Sequence, residues 1–356
     1  MCGICGIYSA SNAPIPRSRV ELMCDVMANR GPDGAGVQGG AGCLFGHRRL
    51  AIIDLTDAGR QPMFNEDGQI LLTCNGEIYN YRDLRSELVE AGHGFKSNTD
   101  TEIIIHGYEE WGIETLLKRV RGMFAFALYD KRRGKIFLAR DPLGKKPLFY
   151  QDTGKELIFA SSARALSLGL NNVPEINPRA VDALLWNSYI PSPETIFLGV
   201  NKLSPAHYLE KSGELPATAK EYWRPNYFDK TYGIRPEEWM ERVDAVLTTA
   251  VNRRLEADVP IGVMLSGGVD SGLITAMAAK KLRKVKTFCV ANEIPSDDES
   301  AYALAVSKRY ATDHTVLHLN HSMSNDLVAM VAAMGEPLAD ASAANMYAIS
   351  KLQERT

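Results

Sequence analysis

Little in this chain of 356 residues is extreme, and each shortage removes a class of function. No apolar run approaches the roughly 18–20 residues of a membrane-spanning helix, and no basic stretch leads into a signal-like apolar core. Charge of one sign is not in excess. Forty Lys and Arg stand against 43 Asp and Glu, a formal net charge of −3. That balance gives no electrostatic reason to expect nucleic acid or an anionic membrane as partner. Cysteines are few and scattered through apolar stretches: Cys2, Cys5, Cys24, Cys43, Cys74 and Cys289. Cys2 and Cys5 form a C-x-x-C, but no second pair or nearby His pair accompanies them, so neither a zinc site nor a disulfide framework is expected. Reduced thiols and a cytoplasmic location follow as expectations. What remains, 23% charged and 45% apolar, has an ordinary globular composition, and the length suggests two domains.

The chain is organised around its first residues, Met1-Cys2-Gly3-Ile4. Removal of Met1, expected before so small a residue, would make Cys2 the mature N-terminus. A thiol and a free α-amine then share one Cα. An α-amine titrates near 7.7–8.0, so it can take the thiol proton and return it to a leaving amine. Position alone favours a small buried cysteine; the segments that follow outweigh that reading. Cys5 is expected to pack behind Cys2 on the same short strand.

Cys2–Tyr8 reads as a strand and Arg19–Ala28 as a helix, with Val20, Met23, Val26 and Met27 at helical spacing. Arg30-Gly31-Pro32-Asp33-Gly34 is a tight turn whose Arg and Asp exceed what geometry needs, unless they pair with each other. Leu44–Asp54 reads as a strand with the two adjacent arginines of Gly46-His47-Arg48-Arg49-Leu50 near its start, and an Arg fork there suits a carboxylate as well as it suits solvent. Ile70–Thr73 runs into Cys74-Asn75-Gly76, where an Asn-Gly turn is expected. That turn would set a side-chain amide beside a backbone N–H, the parts of an oxyanion hole. Helices are expected at Tyr81–Ala91 and Ile103–Trp111, with Thr99 or Asp100 as a candidate N-cap. Further strands are expected at Gly122–Asp130, Lys135–Arg140 and Glu156–Ser161.

The strings MCGI, RGPD, GHRRLAI, NGEIYNY, SNTDTE, GMFAFALYD and ARDPLGKKPLFY, in this order over most of residues 1–165, resemble the glutaminase domain of class II amidotransferases. The resemblance implies an N-terminal-nucleophile α/β/β/α sandwich. It also implies Cys2 as nucleophile with its α-amine as base, and Asn75 and Gly76 as oxyanion hole. Arg49 would hold the glutamine α-carboxylate and Glu77 and Asp100 its α-amino group. Leu50 and Ile52 would line the pocket, and the RGPD turn would support the Cys2 loop.

From Pro260 the pattern becomes strand, glycine loop, helix: Ile261–Leu265, then Ser266-Gly267-Gly268-Val269-Asp270-Ser271, then Gly272–Leu282. Glycines let backbone N–H groups approach phosphate oxygens, and a helix N-terminus adds a favourable dipole. The G-K-[ST] of a Walker loop is absent. Lys284–Asn292, Glu299–Tyr310, Thr315–Leu319 and Met323–Met334 continue the alternation. The loop resembles that of ATP pyrophosphatases, which implies a doubly wound parallel sheet. ATP would lie against Leu265, Ser266, Gly267, Gly268, Asp270, Ser271 and Val290, with Asp270 holding Mg²⁺. Joined in this order, the two halves resemble glutamine-dependent asparagine synthetases, whose segment before a second phosphate loop Gly335–Tyr347 also resembles.

The resemblance divides the chain into a glutaminase domain (1–210), a linker (211–235) and a synthetase domain (236–356). It implies ammonia released from glutamine at Cys2 and passed to an aspartyl-adenylate made from aspartate and Mg-ATP. A homodimer is left open. The family continues to a second phosphate loop and a helical region beyond the position of Thr356. The synthetase domain is therefore expected to be incomplete, from a truncated, split or pseudogene-like product or an incomplete gene prediction. A glutaminase-only enzyme and a non-catalytic glutamine-binding module stand as alternatives.

Overall fold

In this computed structural model the described residues are 1–227, 233–291, 298–318, 323–340, 342–343, 346–347 and 350. The expected strand ends at Asn292 and Leu319, the 228–232 part of the linker, and Ala341, Ala344 and Asn345 of the Gly335–Tyr347 segment lie outside them. The chain divides into two compact units, Met1–Pro225 with Val331–Asp340, and Asn226–Met330 with Ala341–Thr356.

The first unit contains strands β1 (Gly3–Ser9), β2 (Gly34–Gly40), β3 (Cys43–Arg49), β4 (Met63–Phe64), β5 (Ile70–Ile78), β6 (Gly122–Asp130), β7 (Lys135–Arg140), β8 (Phe149–Asp152), β9 (Glu156–Ala160), β10 (Asn201–Lys202), β11 (His207–Ser212) and β12 (Thr218–Glu221). Its helices are α1 (Arg17–Asp25), α2 (Tyr81–Glu90), α3 (Ile103–Arg119), α4 (Ala163–Gly169) and α5 (Pro178–Asn187). The strands form two six-stranded antiparallel sheets, ordered β10-β8-β9-β1-β3-β2 and β12-β11-β7-β6-β5-β4.

Three apolar clusters stack these sheets into four layers. Ile4, Tyr8, Phe45 and Phe159 of the first sheet meet Leu71, Ala125, Ala127 and Leu138 of the second. Cys5, Ile7 and Ile158, on the other face of the first sheet, meet Val20, Met23 and Met27 of the α1 region and Leu166 of α4. Leu72, Phe124 and Phe126, on the far face of the second, meet Leu88 of α2 and Ile104 and Leu116 of α3. Side chains alternate between faces along a strand, so β1, β5 and β6 each feed two of these cores. At roughly 1.5–3 kcal/mol per buried aliphatic or aromatic side chain, both faces of each sheet contribute. The result is an α/β/β/α sandwich, as expected.

Several local readings are corrected. The strand expected over Leu44–Asp54 ends at Arg49. Asn75-Gly76 is no turn: β5 runs through it to Ile78, with Asn75 opposite Ala125 and Gly76 opposite Phe124. Long pairing with β6 outweighs the local turn preference. Neither Thr99 nor Asp100 caps α3, which starts from Glu102 with no side-chain cap. That helix also runs on past Trp111 through a kink at Gly112, where φ is +73°. The 211–235 stretch contains β12, which pairs with β11 in the second sheet.

The second unit alternates helix and strand: α6 (Pro236–Arg254), β13 (Gly262–Met264), α7 (Val269–Lys281), β14 (Lys286–Ala291), α8 (Ser300–Tyr310), β15 (Asp313–His318) and α9 (Met323–Met334), whose residues from Val331 on are assigned to the first unit. The strands form a parallel sheet in the order β13-β14-β15. Pro236 opens α6 at its first turn, where a missing N–H costs nothing. The strand expected to be buried over Ile261–Leu265 is a three-residue edge strand with Gly262 and Met264 exposed; only Leu265, just past it, is buried.

Candidate active site

Cys2 sits one residue before β1, and its surroundings come from two turns. Arg30 donates from Nε to the Cys2 carbonyl at 3.1 Å. Asp33 accepts at Oδ2 from the Ala51 N–H at 2.9 Å, and its own N–H reaches the Arg49 carbonyl at 2.9 Å. The RGPD turn thus spends its Arg on the Cys2 backbone and its Asp on the chain beyond β3, rather than on each other. A Cβ at Gly31 would lie 2.4 Å from the Arg48 carbonyl oxygen, so only glycine fits this crossing.

Alternation along β3 separates its two arginines. Arg48 turns toward Asp25, 3.9 Å away, whereas Arg49 turns into a cavity. The Arg49 guanidinium is held by the carbonyls of Thr56, at 2.7 Å, and Asp54. Gly59 makes room for it, since a Cβ there would stand 2.2 Å from Nη2. Two of the five N–H donors are thereby fixed and the fork is aimed before any ligand arrives.

The other wall is the free edge of β5. β4 covers only Leu71 and Leu72, and alternation turns the backbone groups of Cys74, Gly76 and Ile78 to that same edge. Side chains replace the missing ladder. Cys74 N–H donates to Gln61 Oε1 at 2.6 Å, and its carbonyl lies 3.1 Å from His47 Nε2. A carbonyl only accepts, so Nε2 carries the proton; burial pushes the pKa of His47 down to about 4 and keeps the ring neutral. Ile78 N–H donates to Asp100 Oδ2 at 2.6 Å. Gly76, between them, lines the cavity. A Cβ there would come 2.3 Å from the Met123 carbonyl oxygen. Beside it Asn75 is 1% exposed, and its Nδ2 has no partner among the described residues. A buried, unsatisfied amide donor is costly unless something arrives to accept from it.

These walls enclose a cavity of about 150 Å³. It brings together Cys2, Arg49, Leu50, Ile52, Asn75, Gly76, Glu77 and Asp100, the whole glutamine-site set expected from sequence. Burial pushes the Cys2 thiol up, against the Leu50 N–H, the amino terminus, Lys146 and Arg49, which pull it down. Burial also lowers the terminal amine, carried here by Met1. Asp100 is raised to about 7, by burial first and then, against its hydrogen bond from Ile78, by the charge of Glu77.

Sequence reasoning gave no role to Lys146, Gln61 or His47. Lys146 and Gln61 line the cavity, and Lys146 is 5% exposed, with burial drawing its pKa down. Lys146 and His47 sit inside quoted strings, so their segments were marked, though not their roles. Gln61 carries no local signal.

In the second unit Leu265 is buried just past β13, and its N–H reaches the Phe288 carbonyl at 2.8 Å. Ser266, Gly267 and Gly268 form the loop, and Asp270 and Ser271 lie in the first turn of α7. Gly267 has φ of +84°. The Ser271 hydroxyl donates to the Gly268 carbonyl at 3.1 Å and stands 3.1 Å from the Ser266 hydroxyl, which curls the loop over the helix start. Val290 is half-buried on β14, beyond the end of its pairing with β13.

An α/β/β/α sandwich with a thiol at residue 2 beside an open strand edge is the architecture that the glutaminase resemblance leads one to expect. A family model described as a glutamine amidotransferase domain matches residues 1–223, and one described as asparagine synthase matches residues 242–356. Asparagine synthetase [glutamine-hydrolyzing] 1 of Bacillus subtilis is 32% identical over 359 residues, 99% of this chain and 55% of that protein. Asparagine synthetase [glutamine-hydrolyzing] 2 of the same organism is 35% identical over 340 residues, 89% of this chain and 44% of that protein. The putative asparagine synthetase [glutamine-hydrolyzing] 2 of Methanocaldococcus jannaschii is 31% identical over 384 residues, with 100% and 72% covered. The chain belongs to the glutamine-hydrolysing asparagine synthetase family. It spans about half the length of the two Bacillus relatives.

Proposed function

We propose that the chain hydrolyses glutamine at Cys2 and supplies the ammonia for ATP-dependent amidation of aspartate, in the cytoplasm. The observation that carries the first half is the unpartnered, buried Nδ2 of Asn75 beside Gly76 in the cavity that contains Cys2. With Met1 removed, the Cys2 α-amine would accept the thiol proton. The thiolate would attack the carboxamide carbon, and the oxyanion would take hydrogen bonds from Asn75 Nδ2 and the Gly76 N–H. The amine would return its proton to the departing ammonia, and water would then cleave the thioester to glutamate. Arg49 would grip the α-carboxylate, with Glu77 and Asp100 on the ammonium and Leu50 and Ile52 against the stem.

For the second half, the loop's positive-φ glycine at the start of α7 fits phosphate oxygens, and Asp270 fits a divalent cation. Ser266, Gly267, Gly268 and Ser271 would hold the phosphates, Asp270 the Mg²⁺, and Leu265 and Val290 the adenine nucleotide. ATP with Mg²⁺ supplies the activation that a free carboxylate lacks. The test is an assay of glutamate, asparagine and pyrophosphate from glutamine, with and without aspartate and Mg-ATP. Asparagine and pyrophosphate formed only with aspartate support the whole reading; glutamate alone limits the activity to the first unit, and no glutamate refutes it.

A further inference from the structure

His106 on α3 is 1% exposed, and neither of its ring nitrogens makes a hydrogen bond of normal geometry. Both nitrogens face carboxylates. Nε2 lies 3.5 Å from Glu102 Oε1, and Nδ1 lies 3.4 Å from Glu109 Oε2 and 3.8 Å from Glu66 Oε1. A neutral imidazole has one N–H and one lone pair, so the buried neutral ring would turn that lone pair toward an ionised carboxylate. Only the doubly protonated ring suits both sides. The other charged or titratable groups around it are His93, paired with Glu110 at 3.1 Å, and Lys96, whose ammonium is held by the Asn65 carbonyl at 3.2 Å.

Glu102 carries this charge to the cavity. Its two oxygens accept from the Lys96 N–H at 2.8 Å, the Ser97 N–H at 2.8 Å and the Ser97 hydroxyl at 2.6 Å. The Ser97 hydroxyl stands 2.8 Å from that of Thr99. The next N–H, of Asn98, donates to Asp54 Oδ2 at 2.7 Å, and the Asp54 carbonyl accepts from Arg49. The turn over 97–101 therefore presents Asp100 and braces the support of Arg49.

We propose that His106, as an imidazolium, is a positioning residue for glutamine: through Glu102 it fixes the turn that sets Asp100 and Arg49. This rests on the glutamine-site reading above. The charge balance agrees. Burial lowers the pKa of His106, but Glu102 and Glu109 outweigh it and push it up to about 9. Against its own burial, contacts from His106, Ser97 and Lys96 hold Glu102 below the usual carboxylate range.

Wild-type glutamine hydrolysis tests the underlying reading; without it, reading and inference both fall. Given that activity, H106Q, which keeps a donor and loses the charge, is expected to raise KM for glutamine about tenfold while kcat changes less than about threefold. The wild-type ring is expected to lose its second proton only near pH 9, read as a ¹⁵N shift of its nitrogens. A KM unmoved in H106Q, with hydrolysis intact, overturns the inference alone. Should H106Q not fold, ¹⁵N NMR of the wild-type ring decides: two protonated nitrogens at neutral pH support the proposal, and one overturns it. His93, His106 and Glu109 also have donor atoms within 4.8 Å of one another. Stoichiometric zinc in the purified chain, lost in H93A, would replace the proton with a metal and overturn the proposal.

Discussion

The Leu50 backbone grips the Cys2 sulfur from two sides: its N–H donates to Sγ at 3.3 Å, and its carbonyl oxygen lies 3.6 Å from the same atom. The thiol is thereby aimed by the chain just past β3, the segment that also delivers Arg49. Cys2→Ala removes the nucleophile and leaves this backbone in place. It is expected to abolish glutamate release, to leave any activity with free ammonia intact, and to keep the melting temperature within a few degrees. Loss of both activities in a folded variant would contradict the division of labour between the units.

Asn75→Ala deletes the unpartnered donor. An oxyanion donor is worth roughly 10²–10³ in kcat, so steady-state kinetics should show a fall of that order with KM little changed. A rise in KM alone would reassign Asn75 to substrate binding. Gly76→Ala acts differently, because its Cβ would stand 2.3 Å from the Met123 carbonyl. Overpacking of this kind costs about 1–3 kcal/mol, readable as a lowered denaturation midpoint.

Asp100 supplies a pH dependence. Its folded-state pKa, about 7, lies above the ordinary 3.8, so between these values the folded chain holds a proton that the unfolded chain has lost. This group therefore lowers stability as pH rises from about 4 to 7. The glutamine ammonium needs the ionised form. Calorimetry of glutamine binding to C2A, where no turnover intervenes, should show affinity rising through pH 7. D100N should bind weakly without that rise; an unchanged rise in D100N would point to another group.

Arg49 is pre-aimed by two carbonyls and by the space over Gly59. Arg49→Lys loses the fork geometry, and Gly59→Ala pushes the guanidinium aside. Both are expected to raise KM for glutamine by about tenfold or more, with smaller effects on kcat. Initial-rate kinetics over a wide glutamine range would check this, and a G59A variant with wild-type KM would refute the pre-aiming argument.

Much of the cavity was legible from sequence because its residues lie in short strings with distinctive chemistry, such as the Arg of GHRRLAI and the Asn-Gly of NGEIYNY. Their assembly was not legible. The same Asn-Gly pair reads locally as a turn, and only pairing of β5 with β6 makes it a strand edge. Gln61 reaches Cys74 from 13 residues away and has no local pattern to mark it. His106 lies at helical spacing among buried isoleucines; Glu102 and Glu109 are its i−4 and i+3 neighbours, but Glu66 comes from outside the helix, where periodicity does not reveal it. In the second unit the strand–loop–helix order was plain, whereas the exposure of Gly262 and Met264 on β13 has no local signal.

The central claim is that an amino-terminal Cys2 opens the glutamine carboxamide. The most direct test is intact-mass and peptide mapping after exposure to a glutamine-shaped diazoketone, which alkylates an activated thiol. The account predicts one adduct, on Cys2, in chains that have lost Met1, suppressed by added glutamine. An adduct on another cysteine, or labelling of chains that retain Met1, would contradict it.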